Sequence, residues 1–417
     1  MSMQQGAGAA RESEGTTDTL RAPQALAGVR VIELGSLIAG PYAGSLLAQF
    51  GAEVIKVESP QGGDPLRKWR VLHEGTSLWW YSQSRNKKSV TLDLRQAEGQ
   101  RIVRELAATA DIVVENFRPG TLEKWGLGWE QLHAVNPRLV MVRVSGYGQS
   151  GPYRDRPGFA AIAESLGGMR NLAGYPDRPP VRTGLSIGDT LASLYGTIGA
   201  LLAMHHLNRN GGSGQFVDVA LYEAALAVTE SLLPEHTYDG RLRQRAGASL
   251  PGIVPSSTYV CADGGYIIIA GNGDGIFKRL MRAIGREDLA ADPELAHNDG
   301  RVRHTQRIDD AITAWTRERP LEHALAVIKS ADVPCDRIYT EADIVADSQV
   351  EARGMLEPAR LEDGTDFAIP GIVPRLSATP GATRWLGPGL GAHTDEVLEA
   401  LGYDAAARAA LRDREVI

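Results

Sequence analysis

Cysteine is nearly missing from this chain. Cys261 and Cys335 are the two in 417 residues. That rules out a disulfide framework, and neither belongs to a CxxC pair of the kind that holds zinc or runs thiol redox chemistry. A reducing compartment, the cytoplasm, is the expected location. Positive charge is not in excess either: the net charge is −7, which argues against nucleic-acid binding by phosphate neutralisation. A local basic patch can still hold a small anion. The N-terminal stretch Met1 to Thr19 lacks an apolar core of signal-peptide length and reads as part of a disordered tail over residues 1–27. The longest uncharged stretch in mid-chain, Thr190 to Leu207, carries Ser193, Thr197, His205 and His206. It therefore reads as a buried helix, not a membrane span. Motifs are missing as well. There is no GxxxxGK[ST] phosphate loop and no HExxH among the nine histidines, and Gly148-Gln149-Ser150-Gly151 lacks the spacing of a GxSxG elbow.

What remains is a globular chain, 43% hydrophobic and too long for a single core. From Val29 onward short β-branched runs alternate with helical patterns. The runs are Val29–Leu34, Glu53–Glu58, Ser89–Leu94, Asp111–Asn116 and Leu139–Ser145; Tyr42–Phe50, Gln96–Ala110 and Trp129–Val135 read as helices. Apolar strands alternating with helices predict an α/β domain with a parallel sheet covered on both faces. This domain is expected over residues 28–232. A smaller α+β domain is expected over 233–330, opening on a hairpin of Ser257–Cys261 and Tyr266–Ala270 and continuing in helices Ile276–Ile284, Gln306–Arg317 and Leu321–Ser330. Residues 331–417 read as a return segment that completes the large domain and ends in a helical stretch, His393–Leu401.

Four segments carry candidate chemistry. In Gly184-Leu185-Ser186-Ile187-Gly188-Asp189-Thr190, Asp189 stands at the start of a long helical pattern. It can serve as an N-cap, whose oxygens accept free backbone N–H groups. The same placement keeps a carboxylate ionised and available as a nucleophile, and Gly188 removes a side chain that would hinder an incoming group. Gly62-Gly63-Asp64-Pro65-Leu66-Arg67-Lys68-Trp69-Arg70 sets three cations and an indole in one loop, and Ser84–Ser89 adds three more cations. Each is an anion site or a solvated basic face. Gly271-Asn272-Gly273-Asp274-Gly275 is a turn or a phosphate cradle.

These segments, with several others in order along the chain, resemble the class III CoA-transferases of the CaiB/BaiF type. That family includes formyl-CoA transferase, carnitine CoA-transferase and α-methylacyl-CoA racemase. The matching stretches include Leu26–Leu34, Ala39–Ala43, Gly51–Glu58, Gly63–Pro65, Asn86–Leu94, Asp111–Gly120, Gly146–Pro152, Gly188-Asp189, Gly214–Asp218 and Gly391–Leu398. The resemblance implies a Rossmann-like large domain, a smaller domain and an interlocked homodimer. It also implies an exchange of CoA between an acyl-CoA and a free carboxylic acid, with neither metal nor resident cofactor and with no nucleic-acid or membrane partner. Asp189 falls on the family's nucleophile, which passes through a mixed anhydride and an aspartyl-CoA thioester. Leu92, Asn116, Phe117, Lys124 and Ile38 fall on CoA contacts, and Trp69 on a tryptophan flanking the acyl site. Ile38 stands where formyl-CoA transferase has Gln, which argues against formate or oxalate.

The same family holds racemases, which need a second proton carrier. Phe159 and Ala160 occupy the position of that carrier's His-Asp pair, and Glu164 is offset from it. A transferase is therefore expected over a 2-methylacyl-CoA racemase or a non-catalytic CoA-binding subunit. Leu78-Trp79-Trp80 before Arg85-Asn86-Lys87 resembles members that use succinyl-CoA and C4–C6 dicarboxylates. A distal carboxylate needs a cation, for which Arg67 or Arg182 is expected.

Overall fold

Runs such as Arg30-Val-Ile-Glu33 and Val140-Met-Val-Arg-Val-Ser145 have apolar side chains on both faces, so they must be covered on both sides. The computed structural model describes residues 22–417. In it these runs form a six-stranded sheet. Its strands are β1 (Arg30–Glu33), β2 (Glu53–Glu58), β3 (Lys87–Thr91), β4 (Ile112–Glu115), β5 (Val140–Ser145) and β6 (Phe216–Ala220). They lie in the order β3-β2-β1-β4-β5-β6, and every pairing is parallel. Ile32 pairs with Ile55 on one side and Val113 on the other. This is the doubly wound order of a Rossmann-like sheet, and its direction reverses between β1 and β4. The α/β expectation holds, and each of the five expected strands is present. The sixth, β6, overlaps the Gly214–Asp218 stretch and was not among the expected strands.

Helices cover both faces. α1 (Ala39–Gln49) lies on one face, together with α5 (Ala160–Leu166), α6 (Ile187–Asn210) and α7 (Leu221–Leu226). α2 (Leu78–Gln83) precedes β3. The other face carries α3 (Ala97–Ala107) and α4 (Trp129–Val135), with Leu398 of α11 (Thr394–Ala400) and Val416 fully buried beside them. The return segment also covers the outer edge of β3. The His393 N–H donates to Ser89 O at 2.9 Å, the Thr91 N–H to Thr394 Oγ1 at 3.0 Å and the Asp93 N–H to Val416 O at 2.8 Å. Pairing a strand edge in this way removes a site of unwanted association.

Two compact units divide the chain. The first takes residues up to Met169, Gly184–Ser231 and Gly354–Ile417; the second takes Arg170–Thr183 and Leu232–Arg353. The second unit thus runs past residue 330, because Cys335–Arg337 (β9) pairs with β8 (Tyr266–Ala270), which pairs in turn with β7 (Ser256–Val260). Helices α8 (Asp274–Ala283), α9 (Thr305–Arg317) and α10 (Leu321–Ser330) close its core around Phe277, Leu280, Ile308 and Ile328. β10 (Leu356–Arg360) and β11 (Asp366–Pro370) form a hairpin of the first unit. Residues 1–21 of the expected tail lie outside the described residues, while Leu26 packs on the core and its N–H donates to Phe50 O.

The expected buried helix, α6, is buried along one side only. Ala192, Gly196, Ala200 and Ala203 face inward, whereas Ile198 and Leu202 are 51% and 65% exposed. By length and composition alone α6 could also cross a membrane.

In the second unit the Gly271–Gly275 segment is a turn stitched by fully buried Arg301. All five of its N–H groups are used, by Val254 O, Leu295 O, Ala296 O, Asn272 O and Asp274. The Asp274 carboxylate also meets His297 and stands on the first residue of α8, so an acid occupies the place where a phosphate would be cradled. Removing a buried, fully bonded charge leaves its partners unpaired and costs about 3–5 kcal/mol. Arg301→Ala is therefore expected to lower the urea midpoint. Hydrogen exchange should rise first in residues 232–353.

Candidate active site

The crossover from β1 into α1 is built over a buried charge cluster. Glu33, at the end of β1, accepts Lys56 Nζ from β2 at 2.9 Å and Lys87 Nζ from β3 at 2.8 Å, and all three are within 1% of complete burial. A Cβ at Gly44 of α1 would collide with the Glu33 carboxylate, so only glycine lets the helix lie over it. Lys56 also meets Asp64 at 2.8 Å and donates to Gly35 O. Asp64 in turn accepts the N–H of Leu37, which takes the left-handed backbone region at φ 67°. Few non-glycine residues sit there without being held. The C=O of Leu37 is held too, by Gln83 Nε2 at 2.6 Å.

Burial opposes charge throughout this cluster. At Lys56 it is outweighed by Glu33, Asp64 and Glu58, which raise the ammonium above the ordinary lysine range. At Lys87 burial wins, because Glu33 is shared and Lys56 repels, and the pKa falls from 10.5 to about 8. A second buried pair lies alongside: Arg67 Nε and Nη2 each donate to Glu58 at 2.8 Å, with the guanidinium 3.6 Å from the centre of the Trp80 ring. Burial raises the Glu58 pKa, but Arg67, Lys56 and Ser89 overcome it and hold the carboxyl below its usual range.

Two cavities flank the first turn of α1. One, of about 320 Å³, opens at the carboxyl ends of β1, β2, β3 and β4, where Ser36, Lys56, Leu92, Arg95, Phe117 and Trp125 line it. Doubly wound sheets bind ligands at this edge, next to the strand-order reversal. The larger, of about 740 Å³, is lined by Ile38, Tyr42, Arg70, Trp79, Gln83, Arg85, Phe367 and the helix-start residues Leu185, Ser186 and Thr190.

Asp189 belongs to that helix start. It is the third residue of α6 and half-buried, and Ser186 holds the capping position, so Asp189 is not the N-cap. The positive end of the α6 dipole favours a negative charge on it. Ser193, one turn on, donates from Oγ to Ala39 O at 2.7 Å and fixes α6 to the start of α1. Gly188 is buried against α5: an added Cβ would stand 3.3 Å from both Ala160 Cβ and Glu164 Cγ. Its missing side chain thus serves helix packing, where an open path for an incoming group was expected. The Glu164 carboxylate, 2% exposed, accepts the Gly188 N–H at 3.5 Å.

The sequence matches the profile of CoA-transferase family III over residues 26–394. The chain belongs to CoA-transferase family III. It is 48% identical to the succinyl-CoA–D-citramalate CoA-transferase of Chloroflexus aurantiacus, over 95% of this chain and 99% of that one. It is 44% identical to the beta subunit of the succinyl-CoA–L-malate CoA-transferase from the same organism, over 97% and 100%. A crystal structure of a CaiB/BaiF family protein from Brucella suis superposes with a TM-score of 0.80 at 34% identity, covering 91% of this chain and all of that one. This family III CoA-transferase is accordingly an enzyme whose cosubstrate is a CoA thioester.

The residues that the resemblance marked are spread over both cavities and beyond. Leu92 and Phe117 line the smaller cavity, Phe117 edge-on to Trp125 at 5.4 Å. Ile38, expected with them, lines the larger one. The Asn116 side chain brackets Ser36, accepting its N–H and donating to its C=O, both at 2.9 Å, and so shapes the loop without facing outward. Lys124 is exposed, next to cavity-lining Trp125. Trp69 is 39% exposed and faces Trp79 at 6.2 Å. Arg67 does not offer a free cation: four of its N–H bonds are taken by Glu58, Pro388 O and Ser89. Arg182 is an exposed residue of the second unit.

The basic segment at Ser84–Ser89 is no solvated face, since Arg85 and Lys87 are buried. Tyr42, Trp79, Arg70 and Arg85 were not singled out as site residues; the tryptophan pair and the two basic segments were their signal. Away from the cavities, His73, Glu74 and Asp363 gather at the surface, where the 2.8 Å His73–Asp363 contact accounts for the grouping.

Lys87 gives this site a pH signature. Its pKa is lower in the folded chain than in the unfolded one, so between about 8 and 10.5 the unfolded chain holds more protons. Lys87 thus adds stability as pH rises through that window and costs stability below it. Urea midpoints measured from pH 7 to 10 should climb more, or fall less, in the parent than in Lys87→Met.

Proposed function

We propose that this CoA-transferase moves CoA from succinyl-CoA to a C4–C6 dicarboxylate with Asp189 as nucleophile. The observation that carries the reading is the placement of Asp189. It is a half-buried carboxylate in the first turn of a long helix, and its near neighbours in sequence, Ser186 and Thr190, line a 740 Å³ cavity whose formal charges are two arginines, with Asp189 beside that wall in the chain and not itself part of the lining. The named activities of the two Chloroflexus relatives, both succinyl-CoA-dependent and both acting on a hydroxylated dicarboxylate, support the substrate class.

In this scheme an Asp189 oxygen attacks the succinyl thioester carbonyl, the C–S bond breaks and CoA thiolate leaves, giving a mixed anhydride. The thiolate then attacks the aspartyl carbonyl, the C–O bond breaks and succinate departs, leaving an aspartyl-CoA thioester. The acceptor carboxylate repeats both exchanges in reverse order and Asp189 is regenerated. Bonds of similar acyl-transfer potential are exchanged at each step. The cavity at the sheet edge suits the nucleotide end of CoA, close to the positive first turn of α1 and to Arg95, and the larger cavity suits the acyl group. Two unpaired cysteines fit a cytoplasmic enzyme. Racemisation would need a second proton carrier, and at the position where relatives place one Phe159 exposes an aromatic ring.

The exposed apolar side of α6, with Leu194, Ile198, Leu201 and Leu202, suits burial against a second copy of the chain. We take the working enzyme as a homodimer.

Four measurements test this reading. Asp189→Ala should lower succinyl-CoA-dependent transfer by roughly 10³-fold or more with the fold intact, and hydroxylamine should trap an acyl group on Asp189 of the parent during turnover. Deuterium wash-in at the α-carbon without acid exchange would point to the racemase instead. Leu202→Glu should move the sedimenting species from dimer to monomer mass; a monomeric parent would remove the dimer.

A further inference from the structure

A dicarboxylate differs from a simple acid by a charge several carbons away from the reacting carboxyl. A transferase that acts on dicarboxylates must recognise that charge, for which Arg67 or Arg182 was the expectation from sequence. The cavity beside the α6 start has a different answer. Among the described residues that line it, Arg70 and Arg85 alone carry a formal charge; no Asp, Glu or Lys faces it. Arg85 is buried and already engaged. Its Nη1 lies 3.4 Å from Glu357 and donates to Pro370 O at 2.8 Å and Thr383 Oγ1 at 3.3 Å.

Arg70 is held in another way. It is exposed and pairs with no carboxylate among the described residues, and its guanidinium stands 5.4 Å from the centre of the Trp79 ring. Its backbone lies in the left-handed region at φ 59°, unusual for a residue that carries a side chain. The neighbouring cation of the same loop, Lys68, is spent on Gly75 O at 2.6 Å. The loop therefore sends Arg67 inward to Glu58, Lys68 back onto a carbonyl and Arg70 to the cavity. Much of the rest of the lining is apolar, with Leu78, Phe367, Ile369 and Val373 beside Trp79. A cavity of that make-up favours a short carbon chain that ends in an anion.

Resting on the transferase reading, we infer that Arg70 is the specificity-determining residue that takes the distal carboxylate of the dicarboxylate. The planar guanidinium offers two parallel N–H bonds to a carboxylate. Stacking on Trp79 limits its rotation, so less side-chain freedom is lost on binding. A monocarboxylic acid of the same length would leave the cation in the cavity without its counter-ion.

The test uses two acceptors that differ only in distal charge: the best dicarboxylate of a C4–C6 panel and its half-amide, in which the far carboxylate is a carboxamide. In a two-stage exchange the acceptor kcat/KM reports only the acceptor's own half-reaction. Succinyl-CoA can therefore serve as donor throughout. Arg70→Gln should lower the dicarboxylate-to-half-amide ratio of kcat/KM about 10- to 100-fold, and Arg70→Lys, which keeps the charge and loses the fork, should lower it less. An unmoved ratio in Arg70→Gln overturns the assignment even when both rates fall together. A parent enzyme that transfers CoA to no dicarboxylate overturns the transferase reading itself, and Arg70's role with it.

Discussion

One carboxylate, that of Glu33, holds two lysines from two neighbouring strands in a place closed to water. A buried charge is stable only with partners in good geometry, so this contact fixes several things at once. It sets β1, β2 and β3 in their relative positions on the face under α1. It requires a glycine in α1 above the carboxylate. Through Lys56 and Asp64 it also holds Leu37 in an unfavourable backbone region. That bend turns the chain from the end of β1 into α1 and leaves Ser36 on one cavity and Ile38 on the other. The candidate active site is thus shaped from beneath by ion pairs, of which Glu33 and Lys87 lie wholly below the cavities while Lys56, Glu58 and Asp64 also reach the wall of the smaller one.

Arg67, Glu58 and Trp80 extend the same logic to the loop carrying Arg70. Arg67 is locked to Glu58 and to Pro388 O of the return segment, so the loop cannot slide along the sheet edge. Arg70, three residues on, is then presented outward from a fixed base. Preorganisation of this kind lets a single cation discriminate between acids, because little further ordering is needed when the substrate arrives.

Much of this architecture was legible in the residue pattern. Glu53–Glu58, Trp129–Val135 and Leu321–Ser330 fell on the bounds seen in the fold, because each is a clean periodic run with turn residues beside it. β6 was harder: Phe216–Ala220 lies at a sheet edge with its first three residues not buried, and a half-exposed edge strand has a weak apolar signature. The limit of the second unit was missed because β9 is three residues long and pairs with a strand more than sixty residues earlier. At the site, the pattern put Asp189 at the start of a long helix, and it is the third residue of that helix; the N-cap position falls on Ser186, whose side chain makes no capping bond, and spacing alone could not decide which residue stands there. The three cations of the Arg67–Arg70 stretch look alike in sequence. Only folding separates them, since the partner of Arg67 is a glutamate on β2 and the neighbour of Arg70 is an indole on α2.

The return segment has a consequence for how the molecule comes into being. The edge of β3 at Ser89 is closed by His393, 304 residues further on. A ribosome must therefore make the whole second unit before the first sheet receives its last backbone partners. Throughout that interval β3 presents a row of open amides and carbonyls, which another nascent chain could match as well as the proper one. Yield in a cell should then depend less on final stability than on how long that edge waits, and slow translation through residues 232–353 is where the danger of mispairing is greatest.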